Sequence, residues 1–358
     1  MRPSRLFKRY AAVLFVLGLP IVTSAANNDE LVLMEEEIAA IKEIQDNAVK
    51  VSGYVDAEYI IDSRPIAERD KYGFRMHHFS VFLTKNFGQN WRFFSEIEFE
   101  DGTQQDGLNP DANYGQIFAE AINITYQWTP GHFVRIGRDF TPTGIWSIDH
   151  YPPFVATQDK PAHVRTIFPH VIDGINSLGT FKMGNAFLKY HAYVANGDGT
   201  TGESDNNDEK ALGSRVSMLL PYLDHMEGGF STLNDTLGDY SKAFSWGGHA
   251  KISFRGVTLQ SEFALSESKM VNSTKINKLG YYIQTSYDIG KWTLGYRYDF
   301  SDEDKSQAVN HDHNTAFLGY HVSPHIVCKI EHHEISRQNP NLSDFQKSIF
   351  SIAYYLGD

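Results

Sequence analysis

Three sets of side chains in this sequence have types and spacing that could do chemistry. The first lies in the proline-rich stretch 139–173, DFTPTGIWSIDHYPPFVATQDKPAHVRTIFPHVID, where Lys160, His163 and Arg165 are candidates for meeting an anionic solute, with Asp149 and Asp159 opposing them. An arginine can grip a carboxylate or phosphate with two parallel bonds, which a lysine cannot. The same residues serve equally well as pins that hold the stretch against a neighbouring wall. The second set is a division of charge along the chain. Asp56, Glu58, Glu96, Glu98 and Glu100 come early; Arg135, Arg138, Lys189, Arg215, Lys251, Lys278, Arg297 and Lys329 come later. Opposed walls of this kind order water and favour polar or charged solutes, as rows of charge do in pores. Charges that simply solvate a wet interior and pair with one another give the same pattern.

The third set is histidine: His77 with His78, His311 with His313 in NHDHN, and His332 with His333 in EHHE. Neighbours on a strand point to opposite faces, so neither adjacent pair can chelate through both rings without a bulge. NHDHN has its two imidazoles on one face, but it reads as part of a solvated polar loop, and no metal site is assigned. No G-x-S-x-G, H-E-x-x-H or P-loop occurs, so no motif supports an enzyme or calls for a cofactor. An outer-membrane hydrolase is therefore the weaker rival class. A receptor or adhesin that binds through its acidic, Asn-rich loops, such as NGDGTTGESDNNDE, is the stronger one. Such loops could also take the divalent cations that bridge lipopolysaccharide.

These groups need elements to position them. The chain has 358 residues, a formal charge of -12, 13% aromatic residues and one cysteine, Cys328. A general nucleic-acid binder needs a basic footprint, which is lacking, and a single cysteine allows no internal disulfide. The start RPSRLFKRY, the apolar run AAVLFVLGLPIV and TSAAN form the three-part pattern of a cleaved signal peptide, residues 1–25. The apolar run is too short to span a bilayer as a helix. Over 26–48, Leu31, Met34, Ile38, Ile41 and Ala48 form a heptad-spaced stripe interrupted by Gln45, either a short periplasmic coiled coil favouring a trimer or a frayed amphipathic helix or barrel plug.

From residue 49 to the C-terminus the period is two, with about 16 strand-like runs. In KWTLGYRYDF, Trp292, Leu294, Tyr296, Tyr298 and Phe300 share one face and Thr293, Gly295, Arg297 and Asp299 the other. Short connections alternate with longer polar ones, the longer including 64–71, 102–113, 196–208, 234–241, 266–275, 302–312 and 337–344. Short turns at one end and long loops at the other are what an up-and-down transmembrane barrel requires. Aromatic residues such as Trp91, Trp128, Trp292 and Tyr354 end the apolar faces, where a membrane interface favours them. The expectation is a 16-stranded antiparallel β-barrel over 49–358, with 139–173 as its third long loop folded inward. In RMHHFSVFLTK, Arg75 and His77 fall in phase with Phe79 and Val81, which predicts a bulge or a misplaced boundary.

The strand VKVSGYVDAEYIID after a short helix, the segment VRIGRDFTPTGIW and the strand end YHAYVANGDG together resemble the phosphate-selective porin O/P type of outer-membrane porin. The resemblance implies a trimer of 16-stranded barrels in a Gram-negative outer membrane, contacting lipid and lipopolysaccharide, with the third loop as a constriction for small hydrophilic solutes or ions. The sequence departs from that type in two places. It ends SIAYYLGD rather than on an aromatic residue, with Phe350, Ile352, Tyr354 and Leu356 keeping the outward phase, and its basic positions are scattered rather than forming a dense Arg/Lys ladder.

Overall fold

The computed structural model describes residues 48–65, 72–105, 113–163, 166–197, 207–237, 241–269, 275–302, 310–338 and 342–357. The expected leader 1–25, nearly all of the expected helix 26–48, and Arg165 lie outside the described residues. Sixteen strands follow in order: β1 Lys50–Asp62, β2 Gly73–Phe87, β3 Trp91–Gln105, β4 Asn113–Thr129, β5 His132–Phe140, β6 Val171–Met183, β7 Ala186–Asn196 and β8 Lys210–Leu220. The second half is β9 His225–Thr236, β10 Lys242–Phe254, β11 Val257–Lys269, β12 Lys275–Ile289, β13 Trp292–Asp302, β14 Asn310–Ser323, β15 Ile326–Arg337 and β16 Phe345–Tyr355. Each pairs antiparallel with its neighbours in sequence, and β1 pairs with β16 from Tyr54↔Tyr355 to Asp62↔Lys347. The sheet is thereby closed, and closure leaves no unpaired backbone edge for hydrocarbon to meet.

Connections at one end are two to four residues long and those at the other five to thirty. The tight turn between β10 and β11 shows why they close: Arg255 (φ 50°) and Gly256 (φ 82°) both adopt the left-handed conformation that lets a two-residue hairpin follow the strand twist. Several expected boundaries move. The third long loop is 141–170, because Asp139 and Phe140 finish β5 and 171–173 begin β6. The loops expected over 234–241 and 266–275 shrink to 237–241 and 270–274, since strands β9 to β12 continue outward on polar residues. NHDHN is not a loop but the start of β14, paired with β13 and β15.

The barrel has no conventional apolar core. Outward positions such as Ile283, Leu294, Ile330 and Ile352 are 44–49% exposed and form an apolar belt. Trp91 stacks near Tyr126 at 4.6 Å and Trp292 near Tyr320 at 4.5 Å at the short-turn end. Inward positions are polar and buried, including Glu96, Asp299, Thr315 and His333, each wholly inaccessible. One apolar cluster faces inward, Ile172, Tyr193, Ala195, Ala211 and Leu233, and Phe168 from the long loop packs against it. The expected phase conflict in β2 is a bulge: Asp56 pairs with His78 and Ala57 with Met76, leaving His77 as the extra residue.

Candidate functional site

The loop 141–170 leaves the wall between β5 and β6 and lies inside the barrel. Its base is closed by the Thr141 amide donating to the His170 carbonyl at 3.0 Å, and its proline-rich sequence fixes φ at five points. A loop with little hydrogen bonding of its own needs partners for its backbone; the lumen supplies them from six strands, and four more strands hold loop side chains. Arg297 on β13 donates to Thr157 Oγ1 at 2.6 Å and to the Asp159 carbonyl at 3.0 Å, while its Nε binds Asp299 at 3.0 Å. Lys329 on β15 donates to the Pro152 carbonyl at 2.6 Å, Lys278 on β12 to Thr166 at 3.2 Å and Arg215 on β8 to Gly144 at 3.0 Å. Carboxylates do the converse. Glu262 on β11 accepts the Trp146 amide at 3.0 Å, Asp299 accepts the Ala162 amide at 2.9 Å, and Glu331 on β15 accepts the Gln158 amide. Tyr151 donates to Glu96 on β3 at 3.0 Å, Ser245 on β10 reaches Ile167, His170 meets Glu120 on β4, Gln158 meets Asp56 on β1, and Lys347 on β16 pairs with Asp159.

Close approach shapes the fit. Gly144 has φ 51°, and a Cβ there would stand 1.7 Å from Glu262 Oε2, so the turn into Trp146 depends on glycine twice over. Trp146 is 2% exposed, and the Arg297 guanidinium lies 5.9 Å from its ring centroid. Ionisation of the loop follows from these neighbours. Burial pushes the Asp159 carboxyl up, but Lys347, His333 and Arg297 outweigh it and hold the group well below the usual carboxylate range. Burial pushes the His163 imidazole down, further than Glu262 and Asp299 raise it, which disfavours its charged form. Burial and then the Glu96 charge raise Tyr151, keeping it a donor.

The candidates from sequence therefore separate. Arg215, Lys278, Arg297 and Lys329 hold the loop, as do Asp159 and Glu96; Glu98 receives the hydroxyls of Tyr54 and Ser80. His163 is buried against Tyr282, and Lys160 is half-buried beside it in the loop. Arg138 does not face the lumen: it shares the outward phase of Ile136 and is forked to Asp173 at 2.8 and 2.7 Å. The basic wall is also less uniform than the sequence suggests, because Glu227, Glu262, Asp299 and Glu331 stand within it. These acids, Lys347, Glu120 and Gln158 were missed as site residues. All but Gln158 and Glu120 occupy regular inward strand positions, so strand phase alone could have nominated them, though not their partners in the loop; Glu120 is turned inward by a bulge between β3 and β4, where Glu96 pairs with Ala121 and Ile97 with Ala119.

Two cavities flank the loop toward the short-turn end. One of about 590 Å³ is lined by Arg92, Asn123, Arg135, Asp139, Ile148 and His191. The other, about 290 Å³, is lined by Trp146, Asp149, Lys251, Gln260, His321 and Lys329. Arg135 bonds Thr125 Oγ1 at 3.1 Å and pairs with Asp139. Lys189 stands 4.0 Å from Glu227 with its side chain 41% exposed. Arg92 and Lys251 form no ion pair among the described residues.

Comparison with known proteins places this architecture. In solved structures, an anion-selective porin from Comamonas acidovorans superposes with a TM-score of 0.64 at 14% identity, over 86% of this chain and 99% of that one. A trimer form of OmpT from Vibrio cholerae superposes at 0.56 and 12% identity, over 86% of this chain and 99% of that one. At such identities the likeness is one of fold. An uncharacterized protein of Aquifex aeolicus is 28% identical over 153 residues, 42% of this chain; the match spans 32% of that protein's length. Residues 12–327 match the family described as Gram-negative porin, and the chain belongs to that family.

Proposed function

We propose that the chain is an outer-membrane porin that passes small hydrophilic solutes by passive diffusion and favours anions, with loop 141–170 as its constriction. The observation that carries the anion preference is the distribution of engaged and unengaged charge. Asp56, Glu96, Glu262, Asp299 and Glu331 are bonded to the loop, whereas Arg92 and Lys251, which form no ion pair among the described residues, line two of the spaces beside it. Rows of one sign at a narrow point select by charge. Asp149 and Asp288 also line the second space and oppose that preference. The anion-selective neighbour from Comamonas acidovorans supports the same reading.

The finer kinship with phosphate-selective porins rests on VRIGRDFTPTGIW and YHAYVANGDG. The few free basic groups fit a general preference for small anions better than a phosphate-binding ladder. A homotrimer is part of the proposal, supported by the trimer form of the Vibrio cholerae relative, as are a cleaved leader over 1–25, a coiled-coil segment over 26–48 and solute contact by Arg165. Reversal potentials across a salt gradient test the central point. The wild-type channel is expected to give an anion-selective sign, and Arg92→Ala with Lys251→Ala is expected to move it toward cations. A cation-selective wild type, or a potential indifferent to both changes, contradicts the proposal.

A further inference from the structure

The bulge in β2 does something that regular alternation forbids. Because His77 is an extra residue between Met76 and His78 in the ladder with β1, both imidazoles turn into the lumen, stacked with centroids 3.6 Å apart. Asp56 lies against both: its Oδ1 is 2.8 Å from His78 Nδ1 and its Oδ2 is 3.6 Å from His77 Nδ1. Glu58 Oε2 stands 3.5 Å from the same His77 nitrogen. Ligands held 2.0–2.2 Å from a tetrahedral ion are about 3.4 Å from one another; the 3.5 and 3.6 Å spacings match that, and the 2.8 Å contact is a hydrogen bond that a bound ion would replace. One donor atom from each of Asp56, His77 and His78 falls within 4.8 Å of the others. Asp56, Glu58 and His78 are at most 5% exposed.

The far side of each imidazole is also furnished. His77 Nε2 is 3.8 Å from Glu100 Oε1 and His78 Nε2 is 4.0 Å from Glu98 Oε1. These carboxylates stand where the outer partner of a metal-binding histidine usually does, at distances longer than a hydrogen bond. The loop closes the cluster. Gln158, 5% exposed, places Nε2 2.5 Å from Asp56 Oδ2 and 3.3 Å from His77 Nδ1. Its Oε1 is buried with no hydrogen-bond partner. Rotating the amide exchanges its nitrogen for an oxygen at the same place, which supplies one more ligand atom beside Asp56 and His77.

We propose that Asp56, His77 and His78, closed by Gln158, form a binding site for a divalent transition ion of the zinc class, and that the ion ties loop 141–170 to the β1–β2 wall. Two imidazoles with carboxylate suit zinc, cobalt or nickel, while magnesium and calcium require oxygen donors throughout. The site stands on the bulge and the loop, independently of which solutes the channel passes.

Cobalt titration of the full-length protein in detergent, followed by its visible absorption, tests this. The wild type is expected to bind one Co²⁺ per chain with a spectrum of mixed nitrogen and oxygen ligands, displaced by Zn²⁺ and untouched by Mg²⁺. His77→Ala should weaken binding by more than about 100-fold, beyond the 10–100-fold that outer-shell changes cost. Gln158→Ala, a loop change that leaves every strand intact, should weaken it about tenfold. His332→Ala, on an exposed outward position of β15, should leave it unchanged. No saturable one-per-chain binding in the wild type, or binding that Gln158→Ala and His77→Ala both leave intact, overturns the proposal.

Discussion

Arg297 is among the side chains that hold loop 141–170 by more than one bond. It is 1% exposed, bonded at once to Asp299, Thr157 and the Asp159 carbonyl, so its loss strands a buried carboxylate as well as freeing the loop. Removing one partner of a buried pair costs about 3–5 kcal/mol, and Arg297→Ala is expected to show a loss of that order in urea unfolding, with loop 141–170 newly open to protease; unchanged protection would assign the loop's seat to other contacts. The loop's ionisable residues also predict a pH dependence. The folded loop holds His163 below its free value, among Glu262, Asp299 and Arg297, so the free loop takes up the proton first. Stability of the seat is therefore full above about pH 6.5 and declines as pH falls below it. Asp159, also held low, keeps its ion pair until the pH is below the ordinary carboxylate range. Protease sensitivity of the loop is expected to rise between pH 7.5 and 5.5, and a flat profile would remove His163 from the account.

At the scale of elements, two devices matter, and they differ in how far the sequence discloses them. The strands disclose themselves because each has one face against apolar surroundings and one against water, so period two survives even in FSWGGHAKISF, where inward Ser245, His249 and Lys251 alternate with outward Phe244 and Phe254. Where strands β9 to β12 run on past the apolar belt, that contrast ends, and polar strand reads as loop. The bulge was legible only as a conflict of phase between His77 and Phe79. The loop's length and proline content announced an inward element, but its seat joins residues far apart in sequence, such as Gln158 with Glu331 and Trp146 with Glu262, and no local pattern encodes such pairs. Contact between loop and wall can be tested at Gly280, where an added Cβ would lie 2.1 Å from His163 Cβ. Gly280→Leu is expected to lift the loop and raise its protease sensitivity while strand content by circular dichroism stays constant; an unmoved loop would contradict the packing.

For the whole molecule, the distinguishing claim is that the outer surface meets lipid. A soluble barrel tolerates charge at exposed positions within about 0.5 kcal/mol, whereas arginine at the middle of a lipid-facing strand costs about 2–4 kcal/mol. Ile283, 49% exposed near the centre of β12, decides between them: Ile283→Arg is expected to destabilise folding into vesicles by that larger amount. Closure by β1 and β16, the apolar belt and the inward loop together make up the proposed channel, with the loop as its proposed constriction. The most direct test is single-channel conductance in planar bilayers, comparing the wild type with a variant in which a short Gly-Ser linker replaces residues 144–167. The account predicts discrete open-channel steps from the wild type and steps several-fold larger from the variant. Silence from the folded protein, or steps of equal size from both, would contradict it.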